Sequence, residues 1–360
     1  MDLSFWHNRR VLVTGHTGFK GSWLCKVLIN AGAKIFGFAL DPPTTPSLFD
    51  LCRFEKQIRS NIGDIRNFDE LKLAFGSANP EIVIHMAAQP LVIDGYKLPA
   101  YTYETNIMGT VNVLECIRQS ETVKSFINVT TDKVYQNNEW AWGYREDDKL
   151  DGFDPYSNSK SCAEIVTHCY SRSFFKHGRT AVSTVRAGNV IGGGDFANDR
   201  IIPDCVRAAM VGRHVVLRNP KSVRPFQHVL EPLFAYLMIA QKQYENIDYA
   251  GCYNVGPEYA DCITSKLIAH IFGTLWNNGQ RPIQEVLESS EANNIPIHEA
   301  GLLKLDCSKI KHVFGWQPRW NIYDAVGKTV DWTKAWVLGE DICNEMDKQI
   351  NEYLNIQEVV

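Results

Sequence analysis

Short apolar runs alternate with longer amphipathic segments through the first half of the chain. In residues 21–32, for example, Leu24, Val27 and Leu28 recur at the spacing of one helix face. Strands are predicted at residues 10–13, 34–40, 81–86, 125–130 and 181–187, and helices at residues 21–32, 101–120 and 156–176. Such an alternation of strands and helices is typical of parallel βαβ units.

The predicted fold is an α/β fold with a Rossmann-type, doubly wound parallel sheet. Near-continuous apolar strands such as residues 81–86 fit a sheet that helices cover on both faces. After Gly188 the apolar runs become shorter, and Pro, Gly and Trp are more frequent. We therefore expect residues 1–187 to form the sheet domain. Residues 188–360 are expected to form a smaller, interdigitated substrate-binding domain, so that segments cross the boundary.

Three glycines with the spacing GxxGxxG follow the first predicted strand and open the first predicted helix. Gly15 permits a tight turn, Gly18 lets the backbone approach a pyrophosphate, and Gly21 lets the helix and the strand pack closely. The free N–H groups at the start of a helix attract phosphates. This loop, including Thr17 and Phe19, is therefore predicted to bind a dinucleotide. A loop with three convenient glycines is the alternative.

Acidic and small residues after later strands are candidates for the rest of the dinucleotide site. Asp41 ends the second strand, 20 residues after the last glycine of the loop. A carboxylate at that place binds ribose hydroxyls, which favours NAD over NADP. A further strand is expected between Asp41 and Asp64, so that residues 81–86 are the fourth strand. Asp64 and Ile65 follow this third strand and could flank the adenine, and Ala87 and Ala88 follow the fourth. The alternatives are a loop aspartate before two prolines for Asp41, and a solvated turn for Asp64.

Tyr156 and Lys160 form a YxxxK motif on one face of a predicted helix. A free tyrosine has a pKa of about 10, so it is a poor base at neutral pH. A nearby ammonium and a positive nicotinamide favour the phenolate, which can then take a proton from a sugar hydroxyl. Lys160 can also hold the nicotinamide ribose. The alternative, an ordinary surface pair, is disfavoured because the motif follows the glycine loop in the expected order of elements.

Composition excludes several other classes of protein. The formal net charge of −4 argues against a nucleic-acid binder. The ten cysteines include no CxxC pair and the ten histidines no HExxH motif, so no metal site is expected. No stretch approaches 18 uninterrupted apolar residues, and residues 1–10 do not resemble a secretion signal. A cytoplasmic location without membrane contact is therefore expected.

The first half of the chain resembles the extended short-chain dehydrogenase/reductase family, through its TGxxGxxG loop and its YxxxK motif. Further segments resemble the CDP-glucose 4,6-dehydratase branch of that family, over residues 10–332. These segments read TGHTGFKGSWL, DPPTTPSLF, GDIRN, TTDKVY, RAGNVIGGGDF, RPFQHVLEPL, YNVGP and GWQPRW. The resemblance implies that Thr131 orients the substrate and Tyr156, and that Asn106 supports the active site. A helix-capping or buried polar role is the alternative for Asn106.

The resemblance also implies an NAD-mediated internal redox elimination that turns CDP-glucose into CDP-4-keto-6-deoxyglucose and water, for deoxysugar and surface-polysaccharide biosynthesis. Relatives in the wider dehydratase group usually carry TDE after the fifth strand, where this chain has Thr131-Asp132-Lys133. Asp132 is expected to protonate the departing 6-hydroxyl. Lys133 replaces the glutamate that usually takes the C5 proton. It is either the base, if it is neutral, or a group that orients the substrate electrostatically.

A pyrophosphate in the substrate calls for arginines. Arg200, Arg224 and Asn189 lie in the resembling segments and are predicted to bind the sugar nucleotide; surface positions are the alternative. His85 and His228 are expected to be structural. Relatives commonly pair through the helices around residues 101–120 and 156–176, which implies a homodimer or tetramer.

Two rival functions remain open at this stage. A nucleotide-sugar 4-epimerase uses the same loop, threonine and YxxxK motif, but it needs neither an acid for the 6-hydroxyl nor a C5 base. Asp132 and Lys133 therefore favour elimination. A non-catalytic dinucleotide-binding regulator would commonly lack the tyrosine or the lysine of the motif, and both are present.

Overall fold

A seven-stranded, fully parallel sheet lies at the centre of the computed structural model, which describes residues 2–176, 178–277, 287–288 and 300–356. The described strands are β1 (Arg10–Thr14), β2 (Lys34–Ala39), β3 (Arg59–Ile62), β4 (Ile82–His85), β5 (Ser125–Val129), β6 (Ala181–Ala187), β7 (Val190–Ile191), β8 (Val216–Leu217), β9 (Val223–Pro225), β10 (Gln227–His228), β11 (Cys252–Val255), β12 (Cys262–Thr264) and β13 (Leu287–Glu288). The order in the main sheet is β3-β2-β1-β4-β5-β6-β11. The predicted doubly wound fold is confirmed.

Helices cover both faces of this sheet. The described helices are α1 (Phe19–Asn30), α2 (Leu48–Leu51), α3 (Phe68–Ala78), α4 (Val92–Lys97), α5 (Pro99–Tyr103), α6 (Gly109–Arg118), α7 (Pro155–Tyr170), α8 (Ile201–Met210), α9 (Leu230–Glu245), α10 (Ser265–Trp276), α11 (Ser308–Phe314), α12 (Ile322–Val337) and α13 (Ile342–Asn355). Across the described ranges, none of them combines the length and the hydropathy needed to span a bilayer.

The alternation of side chains along β1 shows how two cores form. Val11 and Val13 pack on one face with the apolar side of α1, whereas Leu12 packs on the other face with residues of α3 and α6. All three side chains are fully buried, and burying each one stabilises the fold by roughly 1.5–3 kcal/mol. The two cores hold the carboxyl ends of the strands in fixed positions.

The predicted helix at residues 101–120 is interrupted. Its chain runs from α5 through a π-helical turn, Glu104–Met108, into α6. Asn106 lies in that turn, and its buried amide donates to the Gln89 carbonyl (3.1 Å) and to the Ser159 hydroxyl (2.9 Å). The wider π-helical turn places the Asn106 side chain between the loop after β4 and α7. The apolar pattern of the sequence did not indicate this turn. Asn106 therefore links the loop after β4 to α7 through its two hydrogen bonds.

The later part of the chain forms a third core around α8, α10 and α12, with small ladders that pair β10 with β7, β12 with β9, and β13 with β8. However, α9 packs on β5 and β6, and β11 joins the main sheet beside β6. The segment from α9 to β11 thus returns to the main sheet. A domain boundary at residue 188 stays a prediction.

Candidate active site

The glycine loop lies at the carboxyl end of β1, and its close backbone contacts explain its glycines. Gly15 has a φ of +77°, and a Cβ there would lie 2.7 Å from the Ala87 amide nitrogen. A Cβ on Gly21 would lie 2.1 Å from the Gly15 carbonyl oxygen. A Cβ on Gly18 would have its nearest neighbour 3.5 Å away, so this side of the loop is open. The start of α1 therefore offers its N–H groups to a phosphate.

The side chains of Thr17 and Phe19 hold the loop rather than extend from it. The Thr17 hydroxyl donates to the Leu40 carbonyl at the end of β2 (2.8 Å). Phe19 packs against the core beside Gly192. Any contact of these two residues with a dinucleotide would therefore come mainly from their backbone.

Asp41 and Asp64 follow adjacent strands of the sheet, β2 and β3. Asp41 is exposed. Asp64 forms an ion pair with Arg66 (Oδ2–Nη2, 2.6 Å), and the Arg66 hydrogen bonds lower the pKa of this carboxyl group. Ile65 is buried, and its carbonyl accepts a hydrogen bond from the Asn112 amide (2.9 Å).

The β4 loop reaches the glycine loop through Thr14. The Thr14 hydroxyl accepts from the Ala87 amide (3.2 Å), and it bonds to the Nδ1 atom of His85 (2.7 Å). Ala88, half-buried, follows in the same loop. His85 also bonds to the Thr110 hydroxyl (3.2 Å), and burial lowers its pKa to about 3. The prediction that His85 is a satisfied core histidine is confirmed.

The YxxxK motif lies on α7, facing the end of β5. Asp154 caps α7 by accepting from the Ser157 amide (3.0 Å), and Pro155 opens its first turn. Tyr156 and Lys160 are both buried, and Thr131 is close enough to Tyr156 to act on the pKa of its hydroxyl. The structure therefore brings together Thr131, Tyr156 and Lys160, although 29 positions separate the first from the last in the sequence.

Burial favours the neutral forms of these groups. It raises the pKa of Tyr156 to about 12, although Thr131 acts in the opposite direction. It lowers the pKa of Lys160 to about 8, and the Lys160 ammonium donates to the Val129 carbonyl (3.2 Å). A tyrosine so placed needs an added positive charge beside it before it can act as a base.

Asp132 is 1% exposed, and its two oxygens have different surroundings. Oδ1 accepts from the Thr131 hydroxyl (2.9 Å), whereas Oδ2 has no hydrogen-bond partner among the described residues. Burial raises the pKa of Asp132, against the opposing charges of Lys133 and Arg224. Lys133 is half-buried and follows Asp132 in the same short turn. A carboxylic acid with one oxygen available is suited to donating a proton.

The three predicted substrate-binding residues are placed differently. Arg200 pairs with Asp195 (Nη1–Oδ2, 3.0 Å), and its charge also acts on Tyr156. Arg224 is buried, donates to the Val223 carbonyl (2.9 Å) and acts on Asp132. Asn189 is half-buried. Arg200 is thus close enough for its charge to act on Tyr156, and Arg224 is close enough to act on Asp132.

Sequence reasoning missed Lys20, which lies inside the glycine loop. Its ammonium contacts the Tyr236 hydroxyl (3.4 Å). Burial lowers its pKa to about 7, the positive charges of Lys160 and Arg200 act in the same direction, and Asp132 opposes them. Lys20 is therefore close enough for the charges of Lys160, Arg200 and Asp132 to act on it, and its place in the loop was the only signal for it in the sequence.

A buried ion pair lies next to the turn that holds Thr131, Asp132 and Lys133. Glu164, one turn after Lys160, pairs with Arg186 of β6 (Oε2–Nη2, 2.9 Å), and both side chains are fully buried. Glu164 also accepts from the Thr130 hydroxyl, next to Thr131. Burial by itself would raise the pKa of Glu164, but the Arg186 charge holds it well below its usual range.

Replacing Glu164 by glutamine is expected to lower the free energy of unfolding by about 3–5 kcal/mol, because Arg186 stays buried without a counter-charge. The carboxylate has a lowered pKa, so its contribution is present above the unfolded value of about 4.3 and is lost as pH falls. Urea unfolding at pH 7 measures the first effect, and a series at successively lower pH below about 4.3 measures the second. Glu115→Gln breaks the exposed pair with Arg118 and should cost less than about 1 kcal/mol. Equal losses for the two variants would contradict the prediction.

The parallel sheet, the glycine loop and the Thr131–Tyr156–Lys160 set define a short-chain dehydrogenase/reductase. Comparison with known proteins narrows this class. Residues 12–329 match the family described as GDP-mannose 4,6 dehydratase, and the chain belongs to that family. It is 47% identical to the CDP-glucose 4,6-dehydratase of Salmonella typhimurium, over 99% of either chain. The resemblance predicted from the sequence motifs is thereby confirmed.

Solved structures of low sequence identity share the fold. A dTDP-glucose 4,6-dehydratase from Bacillus anthracis, in complex with NAD, has a TM-score of 0.76 at 21% identity, and the alignment covers 92% of this chain and 99% of that one. A UDP-glucose 4-epimerase from Thermus thermophilus, also with NAD, has a TM-score of 0.75 at 24% identity, covering 90% and 98%. Both dehydratases and epimerases therefore use this architecture.

Proposed function

We propose that the protein is an NAD-dependent carbon–oxygen lyase that converts CDP-D-glucose into CDP-4-keto-6-deoxy-D-glucose and water. The observation that carries this proposal is Asp132, a buried acid with a raised pKa that accepts from Thr131 at one oxygen and has no partner at the other among the described residues. A leaving 6-hydroxyl requires such an acid, whereas epimerisation does not. The 47% identity to a CDP-glucose 4,6-dehydratase supports the same substrate.

The residues present fit NAD. The open side of the loop at Gly18 leaves room for a pyrophosphate against the start of α1, and a Cβ there would narrow it. We propose that Gly15, Gly21 and the backbone at Thr17 and Phe19 shape this cradle. The adenosine half would lie against Asp41, Asp64 and Ile65, with the β4 loop at Ala87 and Ala88 beside the nicotinamide half. Residues 1–187 would thus hold the cofactor, and residues 188–360 most of the substrate.

Replacing Asp41 by alanine is expected to weaken NAD binding about tenfold, or about 1.4 kcal/mol, and to reduce the preference for NAD over NADP. The reason is the loss of a carboxylate that accepts from the ribose hydroxyls and repels a 2′-phosphate. Calorimetric titration of both dinucleotides measures the two effects. Asp50→Ala, an exposed aspartate in the short helix α2, is the matched control. An unchanged NAD:NADP ratio would show that Asp41 lies outside the ribose site.

Bound NAD+ would supply a reversible acceptor for the hydride that leaves C4 of the sugar and enters again at C6. The protein moves the protons. Tyr156, oriented by Thr131, takes the proton of the 4-hydroxyl, and Lys160 favours its phenolate and holds the nicotinamide ribose. A ketone at C4 then acidifies the C5 proton. A base removes that proton while Asp132 protonates the departing 6-hydroxyl.

Lys133 is our candidate for the C5 base. It is the residue next to Asp132, it is half-buried, and it occupies the place of a glutamate in related enzymes. Replacing it by methionine is expected to reduce deuterium exchange at C5 and loss of water together, by about a hundredfold. NMR of the sugar in deuterated buffer measures the exchange. Lys149→Met, an exposed lysine paired with Asp151, is the control. Unchanged exchange in the Lys133 variant would leave it an electrostatic role only.

Arg200 and Arg224 are proposed to bind the substrate pyrophosphate, with Asn189 donating to a phosphate or sugar oxygen. Arg224 supports this through its charge on Asp132, and Arg200 through its charge on Tyr156. Both guanidinium groups therefore lie near the groups that would face the sugar. No nucleic acid or membrane is expected among the partners.

The protein is further proposed to work in the cytoplasm as a homodimer or tetramer, in deoxysugar and surface-polysaccharide biosynthesis. We expect the subunits to pair through the helices around residues 101–120 and 156–176. Three apolar side chains on these segments are exposed and support this pairing: Met108, Ile165 and Phe174. A monomeric mass in solution would contradict the assembly.

Incubation of the purified protein with NAD+ and CDP-glucose, UDP-glucose or dTDP-glucose tests the function directly. Mass spectrometry should show loss of water from CDP-glucose. Loss of water from another nucleotide alone would contradict the cytosine preference. A 4-epimer without a mass change would indicate the epimerase, and NAD binding without any turnover would indicate a regulator.

A further inference from the structure

Three side chains outside the proposed reaction meet where α7 packs on β6 and β11. Cys252, at the start of β11, lies 2.9 Å from His168 (Sγ to Nε2). The same His168 nitrogen lies 3.3 Å from Glu164 (Oε2). Cys252 is half-buried and the His168 side chain is 32% exposed, so this cluster reaches the surface of the described structure.

The surrounding charges favour an ion pair between Cys252 and His168. The hydrogen bond with Cys252 and that with Glu164 raise the pKa of His168 to about 9. Burial acts to raise the pKa of the Cys252 thiol, but the His168 hydrogen bond and the charges of His168 and Arg186 outweigh it, so the pKa is lowered. Glu164 opposes this, and Tyr253 is the neighbouring titratable group on β11. A thiolate beside an imidazolium is the expected state.

A metal site explains the cluster less well. The three side chains offer only three ligand atoms within reach of one another, whereas a structural zinc site needs four. The Glu164 oxygens are already occupied, because they accept from Thr130, Thr184 and Arg186. A metal ion would have to displace the buried guanidinium.

We propose that Cys252 is a modification site, a thiolate held by the His168 imidazolium that reacts with peroxides and other soft electrophiles. With a peroxide, the thiolate sulfur attacks one oxygen, and the S–O bond forms as the O–O bond breaks. The departing hydroxide takes a proton from His168 and leaves as water. The sulfur is oxidised by two electrons to a sulfenic acid, and the peroxide is reduced.

Alkylation of the full chain with iodoacetamide, followed by peptide mass spectrometry, tests the proposal. The S–C bond forms as iodide leaves, so the rate at each cysteine follows its thiolate fraction. Cys252 should react at pH 6.5 and gain less than about threefold in rate at pH 8.5. Cys262 is also half-buried, but burial raises its pKa to about 12, so its rate should climb about tenfold per pH unit.

His168→Gln retains a hydrogen-bonding group but removes the positive charge. In this variant the rate at Cys252 should fall at least tenfold at pH 6.5 and become steeply pH-dependent. Unchanged thermal unfolding would show that the variant is folded, and Cys252→Ser confirms the peptide assignment. The proposal is overturned if Cys252 in the unaltered protein is labelled only after denaturation, if its rate rises like that of Cys262, or if His168→Gln leaves its rate unchanged.

Discussion

Replacing Tyr156 by phenylalanine is expected to lower turnover of CDP-glucose about a thousandfold, with little change in the binding of NAD or of the sugar nucleotide. The variant keeps the buried ring and removes only the hydroxyl that would take the 4-hydroxyl proton. General base catalysis contributes roughly 10²–10⁴ in rate, which sets this magnitude. Water loss followed by mass spectrometry gives the rate, and calorimetry gives the affinities.

Tyr103→Phe is the matched control for this variant. The Tyr103 hydroxyl bonds to Asn158 on the same helix as Tyr156 (3.1 Å), but it does not bond to Thr131. Its turnover should stay within about threefold of that of the unaltered protein. If Tyr156→Phe keeps more than a tenth of the activity, another group must accept the 4-hydroxyl proton, and the proposed role of the YxxxK motif is wrong.

Replacing Asp132 by asparagine is expected to reduce loss of water several-hundredfold while the C5 proton continues to exchange with solvent. The amide is nearly isosteric and still accepts from Thr131 at one oxygen, but it has no proton to give to the 6-hydroxyl. Oxidation at C4 and proton removal at C5 do not need that acid. Deuterium should therefore appear at C5 in sugar that retains its 6-hydroxyl.

Asp154→Asn is a useful comparison, because Asp154 is also buried and caps α7 near Tyr156. It should lower stability by about 1 kcal/mol through a weaker cap and leave the ratio of C5 exchange to water loss unchanged. Loss of exchange and of dehydration in equal measure for Asp132→Asn would mean that Asp132 acts before the elimination, for example on the 4-hydroxyl. In that case the acid has to be sought elsewhere.

The site is held by polar groups that the protein keeps largely out of water. Burial favours the neutral forms of Tyr156, Asp132 and Lys160 alike. For Asp132 this is the form that a general acid requires. The Glu164–Arg186 pair beside them remains ionised because each charge compensates the other, and it accepts a hydrogen bond from Thr130, next to Thr131.

Local patterns in the sequence were enough to predict much of this protein. Apolar periodicity placed β1, β2, β4, β5 and β6 within one or two residues of their bounds, because a strand that is buried on both faces must be apolar along its length. The glycine loop and the YxxxK motif were readable because their chemistry depends on the spacing of residues within a single turn. The family resemblance carried by these and other segments then implied the roles of Thr131 and Asp132.

Tertiary structure decided what depends on the meeting of distant segments. The return of β11 to the main sheet, the π turn at Asn106, the approach of Lys20 to the reactive set and the contact of Cys252 with His168 have no local pattern that reports them. A shift in pKa depends on which groups are desolvated together, and desolvation is a property of packing. The sequence by itself therefore determined the fold class, the family resemblance and the residues able to react, whereas the packed chain decided which of them are buried, charged and in contact.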